Sequence, residues 1–198
     1  MRRVFRRVAA PFPIIRKKTE RVPLLIDRHM CVSIFNTHEQ VTDAVALLQA
    51  SGFDSGLFSL MGRDDWRTPQ EIGPFRSDAA VIYGGMRRSF WEKVWSGMPG
   101  KGGLWIFESG PLLLAGRIVR ALTAETAEPE SEVEPATLKR VLTRLGVPLS
   151  NLSRYETELK HHRFLLFVEG SLDTVDRAQR AMEATKPTNN TLHHGVSD

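Results

Sequence analysis

The clearest pattern of apolar and polar positions lies in the C-terminal third of the chain. Leu152, Tyr155 and Leu159 recur at steps of three and four, which predicts a helix with one apolar face. The unbroken apolar run Phe164–Val168 follows, and a run of this length without alternation indicates a strand covered on both faces. Ser171 is a candidate N-cap for the next helix. The apolar face of that helix is formed by Leu172, Val175, Ala178 and Met182.

A related pattern occurs in the N-terminal half. The apolar run Cys31–Phe35 predicts a strand, and Thr37 with Gln40 has the spacing of a capping box at the start of a helix. Gly52 stands where a helix commonly ends in a left-handed residue. A second strand is predicted over Leu57–Met61. Because a helix connects the two strands, we expect them to form a parallel pair.

The two halves share the order strand, polar cap, helix. The stretches SIFNTHEQVTDAVALL and LFVEGSLDTVDRAQRAM have low sequence identity but share this order of elements. We therefore predict an α/β (α+β) fold, a small ferredoxin-like α/β sandwich built from two pseudo-repeated halves, with helices on one face of the sheet. An aromatic and glycine-rich helical segment is inserted between the halves.

Composition divides the chain into six predicted segments. They are a basic N-terminal arm (1–28), the first half of the α/β domain (29–83), the aromatic insert (84–123), an acidic linker (124–135), the second half of the domain (136–186) and a disordered tail (187–198). Within the insert, a helix that begins after Pro111 is suggested by Leu112–Leu114, Ile118, Val119 and Leu122.

Charge is concentrated at particular places in the chain, whose formal net charge is +4. Four arginines open the basic arm: Arg2, Arg3, Arg6 and Arg7. Apolar residues are interleaved with them, so the arm could lie on an anionic membrane surface or on an acidic protein, or remain solvated. Nucleic acid is not expected as a partner, because nothing in the arm would read bases.

The insert is the second candidate interaction surface. Its aromatic residues are Phe90, Trp91, Trp95, Trp105 and Phe107. These residues could pack on the sandwich, on a second copy of the chain or at a membrane interface. The longest charge-free apolar stretch, Ser109–Gly116, is far shorter than the roughly 20 residues that a spanning helix needs.

Three stretches carry a resemblance to a known family. VSIFNTHEQVTDAVALLQASGF, SGPLLLAG and LGVPLSNLSRYETELKHHRFLLFVEG, within Val32–Met182, resemble the bacterial general stress (heat-induced stress) protein family and related predicted membrane or permease-like proteins of unknown function. The resemblance implies an apolar glycine-rich hairpin, regarded as membrane-embedded, between two halves of a small α/β domain. Here the corresponding segment carries Lys101, Glu108 and Arg117. The resemblance implies no catalytic residue and no cofactor.

Candidate chemistry is sparse. The single cysteine, Cys31, excludes an intramolecular disulfide and is expected to be a buried thiol. The adjacent pair His161 and His162 suits a polar helix-to-strand junction, because successive strand residues point to opposite faces and do not readily chelate one ion. Arg63 precedes Asp64 and Asp65 at a strand end, where α/β sheets bind ligands, although a solvated loop also explains them. His193 and His194 are assigned to the tail. No metal or cofactor is expected.

Two functional hypotheses follow. The first is a non-enzymatic, stress-related interaction protein, cytoplasmic or peripheral to the inner face of the membrane. It would self-associate as a homo-oligomer, or dock on a membrane surface or larger protein assembly, through the arm and the insert. The alternative is a regulatory domain that binds a small molecule or metal at a subunit interface, by analogy with other ferredoxin-like sandwiches.

Overall fold

The computed structural model describes residues 29–63, 76–77, 87–106, 110–119 and 138–195. The strands are β1 (His29–Phe35), β2 (Phe58–Arg63), β3 (Arg76–Ser77), β4 (Lys101–Ile106), β5 (Gly110–Gly116), β6 (Phe164–Gly170) and β7 (Asn189–His193). The helices are α1 (His38–Ala50), α2 (Arg88–Gly97), α3 (Leu138–Arg144), α4 (Leu149–Lys160) and α5 (Leu172–Glu183), with a 3₁₀ turn at Ser55–Leu57. The predicted acidic linker (124–135) and the whole of the basic arm (1–28) lie outside these residues.

The strands form one sheet in the order β3-β4-β5-β2-β6-β1-β7. Every neighbouring pair is antiparallel. The apolar run Phe164–Val168 lies in β6, between β2 and β1, and is buried along its whole length. The prediction of a central strand covered on both faces is confirmed.

The predicted mixed α/β class is confirmed, and the two halves interlock. β6 lies between β1 and β2, and β1 lies between β6 and β7. Each strand–helix–strand unit is therefore split by a strand of the other unit, as in the ferredoxin-like arrangement. The expectation that β1 and β2 form a neighbouring parallel pair is wrong. They run in the same direction, but both pair with β6, because a helical connection leaves room for a strand between them.

Helices cover both faces of the sheet. On one face α1, α2 and α5 pack on a core that includes Phe35, Phe58 and Phe164. On the other face α3 and α4 pack on a core that includes Phe167 and Leu165. The prediction of helices on one face only is wrong, because successive residues of β6 alternate between two apolar layers and each layer requires a cover.

The insert contributes strands to the sheet. Leu112–Leu114, expected in a helix after Pro111, lie in β5, which pairs with β2 on one side and β4 on the other. Leu112 and Leu114 face the α4 layer, and Leu113 faces the α1 layer. A short apolar run fits a doubly covered strand as well as a helix, so periodicity alone could not separate the two.

Several local predictions are confirmed. Thr37 and Gln40 form the capping box of α1. Ser171 caps α5 by accepting a hydrogen bond from the amide of Thr174. Gly52 has a positive φ angle of 81° just beyond α1. These signals depend on neighbours in the sequence, and the fold leaves them unchanged.

The C-terminal segment is structured. Asn189–His193 forms β7, which pairs with β1 from Met30 to Ile34. The prediction of a disordered tail over 187–198 is wrong for these residues. The sequence NNTLH is polar, because an edge strand needs few apolar side chains, and so it gave no strand pattern.

Candidate functional site

The strand β7 ends the sheet, and among the described residues it is paired on one side only. No other described strand pairs with its outer side. Four of its five residues are half-buried and His193 is buried. The strand contains no Lys, Arg, Asp, Glu or Pro, the residues that commonly protect an edge from pairing with another strand. We call Asn189–His193 the β7 edge.

Asn190 anchors the middle of the β7 edge to the layer beneath it. Its side-chain oxygen accepts hydrogen bonds from the Ser33 hydroxyl at 2.8 Å and from the Cys31 thiol at 3.2 Å. Its side-chain amide donates to the Gln179 carbonyl of α5 at 2.8 Å, and the Gln179 side chain donates back to the Asn190 carbonyl at 3.2 Å. One amide therefore joins β7, β1 and α5.

Cys31 is the buried thiol that the sequence predicted. Burial raises the pKa of Cys31 to about 12. The sulfur is therefore a neutral hydrogen-bond donor near neutral pH, and a thiolate nucleophile is not expected there.

His193 anchors the C-terminal end of the β7 edge on the opposite face. The hydroxyl oxygen of Tyr155, in α4, lies 2.6 Å from His193 Nε2, and both residues are buried. Beyond the strand, the amide of Gly195 donates to Nδ1 of His29 at 3.3 Å, and the rings of His29 and His194 meet edge to face. Polar side chains thus hold β7 from both faces.

Comparisons with protein-family models, curated proteins and solved structures find no match to this chain. The resemblance to the general stress proteins therefore stays a prediction.

The aromatic residues predicted to meet a partner lie in two environments. Phe90 and Trp91 of α2 are buried against Phe164 of β6, with ring centroids 5.4 and 6.3 Å away. Their side chains are enclosed within the monomer, which leaves them no surface for a partner in this structure. Trp95 is partly buried on the same core and donates from Nε1 to the Leu114 carbonyl at 2.9 Å.

For the remaining predicted interaction residues, the structure describes the backbone position of Trp105 alone. Trp105 lies in β4 at the register position opposite Pro111 of β5. Phe107 and the four arginines of the arm lie outside the described residues. The predicted roles of these residues in contacting a partner stay predictions.

Of the ligand-site residues predicted at a strand end, only Arg63 lies within the described residues. Arg63 ends β2, and its guanidinium donates a long hydrogen bond of 3.4 Å to the Lys160 carbonyl. Asp64 and Asp65 lie outside the described residues. His161 caps the C-terminus of α4 and begins the turn into β6, as the junction interpretation predicted.

Glu169 is a buried carboxylate that sequence reasoning did not single out. One of its oxygens lies 3.5 Å from Arg117, and its side chain is only 9% exposed. Burial raises the pKa of Glu169, and the charge of Arg117 partly offsets this rise. The signal available in the sequence was a single acidic residue that extends an apolar strand run.

The described residues offer neither a membrane-spanning helix nor a metal-binding cluster. Within the described ranges, no helix has the length and apolar character needed to cross a bilayer. The same ranges contain no group of three or more His, Cys, Asp or Glu side chains placed to hold a metal ion.

Proposed function

We propose that this chain is a non-enzymatic interaction protein that self-associates by pairing its β7 edge with the β7 edge of a second copy. The single observation behind this proposal is that the strand is ordered in the sheet while, among the described residues, its outer side is unpaired. The main-chain groups on that side form a template for a further strand.

A second copy suits the edge because the strand is compatible with itself. Antiparallel pairing about a two-fold axis at Thr191 would set Thr191 beside its counterpart and Asn190 beside Leu192 of the other copy. No permanently charged side chain lies within the strand, so no like charges would meet. Five residues give a small contact, so we expect a dimer that depends on concentration.

The wider hypothesis extends this proposal. A role in stress responses comes from the family resemblance, and docking on a membrane surface or larger assembly comes from the composition of the arm. The ligand-binding regulatory domain stays the alternative prediction.

Sedimentation velocity over a range of protein concentrations tests the proposal. We expect the parent to form dimers and Thr191→Lys to be monomeric, because the substitution sets two ammonium groups beside each other across the axis. Thr143→Lys is the matched control, since it adds the same charge on an exposed position of α3. A parent that is monomeric at all concentrations, or a Thr191→Lys variant that dimerises like the control, would contradict the proposal.

A further inference from the structure

A buried tyrosine–histidine pair fastens the C-terminal end of β7 to α4. The Tyr155 hydroxyl lies 2.6 Å from His193 Nε2. Burial raises the pKa of Tyr155 to about 12, so the hydroxyl keeps its proton. A protonated hydroxyl can donate while Nε2 of a neutral imidazole accepts, and this is the tautomer that the latch requires.

The groups around His193 favour the neutral ring. His194 follows it in the chain, His29 on β1 contacts the His194 ring, and Arg154 lies beside Tyr155 on α4. Within the described part of the chain, no carboxylate forms an ion pair with His193. The nearest carboxylate in the register of the sheet is Glu169, which lies across Met30 of β1 from His193 and pairs with Arg117. Burial, followed by the charge of His194, lowers the pKa of His193.

We infer that the Tyr155–His193 hydrogen bond is a proton-sensitive latch, which holds β7 in the sheet near neutral pH and releases it on acidification. A proton on Nε2 turns the acceptor into a donor, so the Tyr155 hydroxyl needs a different acceptor. The proton also places a charge on a buried ring that is followed in the chain by a further histidine, His194. The consequence for self-association rests on the proposed pairing of β7 edges.

The sign of the pH dependence follows from linkage. Because the pKa of His193 is lower in the folded protein than the ordinary value of 6.5, the released strand binds more protons than the docked one. The stabilisation from the latch is present in full above about pH 6.5 and is lost as the pH falls through the lowered pKa.

Hydrogen exchange of the β7 amides, expressed as protection factors and compared at several protein concentrations, separates the latch from association, because only the protection that comes from edge pairing depends on concentration. We expect protection in β7 to fall about tenfold or more between pH 7.5 and pH 5.5 while protection in β6 is kept. His193→Gln retains a side-chain acceptor that does not titrate, so its β7 protection should be independent of pH. Tyr155→Phe should lower β7 protection already at pH 7.5. His161→Gln, at an exposed position just beyond α4, is the control and should keep the behaviour of the parent.

The outcomes separate the two proposals. Parent β7 amides equally protected at both pH values, or a His193→Gln variant that loses protection as the parent does, would overturn the latch. Sedimentation of the same samples reports on self-association. A pH-dependent β7 in a protein that is monomeric throughout supports the latch and contradicts the proposed function. A dimer with β7 protected at both pH values does the reverse.

Discussion

The central strand β6 and the edge strand β7 are held in the same sheet by different kinds of interaction. β6 is paired on both sides, and its apolar side chains fill a core on each face. Within the described ranges β7 is paired with β1 only, and its principal anchors are the hydrogen bonds of Asn190 and the contact of His193 with Tyr155. Packing tolerates exchange among apolar side chains, whereas directional polar contacts depend on single atoms. The centre therefore fixes the fold, and the edge can be altered by itself.

The largest effect is expected at the centre. Phe167→Ala removes a fully buried ring from β6 and should lower the free energy of unfolding by about 3–5 kcal/mol. Urea denaturation measures the change. Leu149→Ala is the control, because that side chain is 76% exposed and its truncation should have little effect. An equal loss in both variants would contradict the importance of packing around β6.

The next effect tests whether the insert is an integral part of the sheet. Gly116 ends β5 with a φ of +87°, and an added Cβ would lie 2.1 Å from the Phe58 carbonyl oxygen of β2. We expect Gly116→Ala to cost more than about 2 kcal/mol. Gly52 has a similar φ of +81° but nothing within 4 Å of its added Cβ. Gly52→Ala should therefore cost only the conformational part, about 1 kcal/mol. Comparing the melting temperatures of the Gly116→Ala and Gly52→Ala variants isolates the steric part of the loss in stability. Equal decreases in melting temperature would contradict the close contact between β5 and β2.

A smaller and local effect is expected at the edge. Asn190→Ala leaves the Gln179 carbonyl and the Ser33 hydroxyl without this partner and should cost about 1–3 kcal/mol. Protection from hydrogen exchange should fall in β7 and persist in β6. Asn189→Ala, at the start of the same strand, is the control. A uniform loss of protection over the whole sheet would show that the edge is not separable from the centre.

The smallest effect concerns the buried carboxylate. Because burial raises the pKa of Glu169, its contribution to stability is present in full below its unfolded pKa, near 4.5, and is lost as the pH rises through the raised value. Glu169→Gln removes this titration, so its stability relative to the parent should increase between about pH 4 and pH 7.

Glu39 supplies a control of opposite sign. Its hydrogen bond with its own backbone amide, followed by one with Thr37, lowers the pKa of Glu39. The contribution of Glu39 to stability is present above its pKa in the unfolded chain. That contribution is lost as the pH falls through the lower pKa of the folded protein. Glu39→Gln should therefore lose stability relative to the parent over the same rise in pH. Urea midpoints of the three proteins measure both trends, and parallel trends would contradict the assignment.

The sequence predicted those parts of the fold that depend on local or strongly periodic signals. The doubly covered strand at Phe164–Val168, the capping box at Thr37 and the N-cap at Ser171 all appear in the structure. These features follow from burial and from the amides at helix ends, both of which leave a mark in neighbouring residues.

The remaining features depend on residues distant in the chain. Leu112–Leu114 become a strand because β2 and β4 flank them, and nothing within those residues specifies that pairing. The candidate site was hidden for a similar reason. Asn190 lies 157 residues from Ser33, and His193 lies 38 residues from Tyr155, so no spacing rule joins them. Their polar character suggested solvent, whereas the fold provides each with a buried partner.

The interlocking of the two halves has a consequence for synthesis on the ribosome. β1 receives its first neighbour only when β6, at Phe164–Gly170, has been made, and its second only when β7 has followed. For most of translation the apolar strand Met30–Phe35 is therefore without its native partners, and early hydrophobic contacts must be provisional. Such long-range pairing also predicts slow folding. The emerging chain is thus an expected client of ribosome-associated chaperones until its last strand is released.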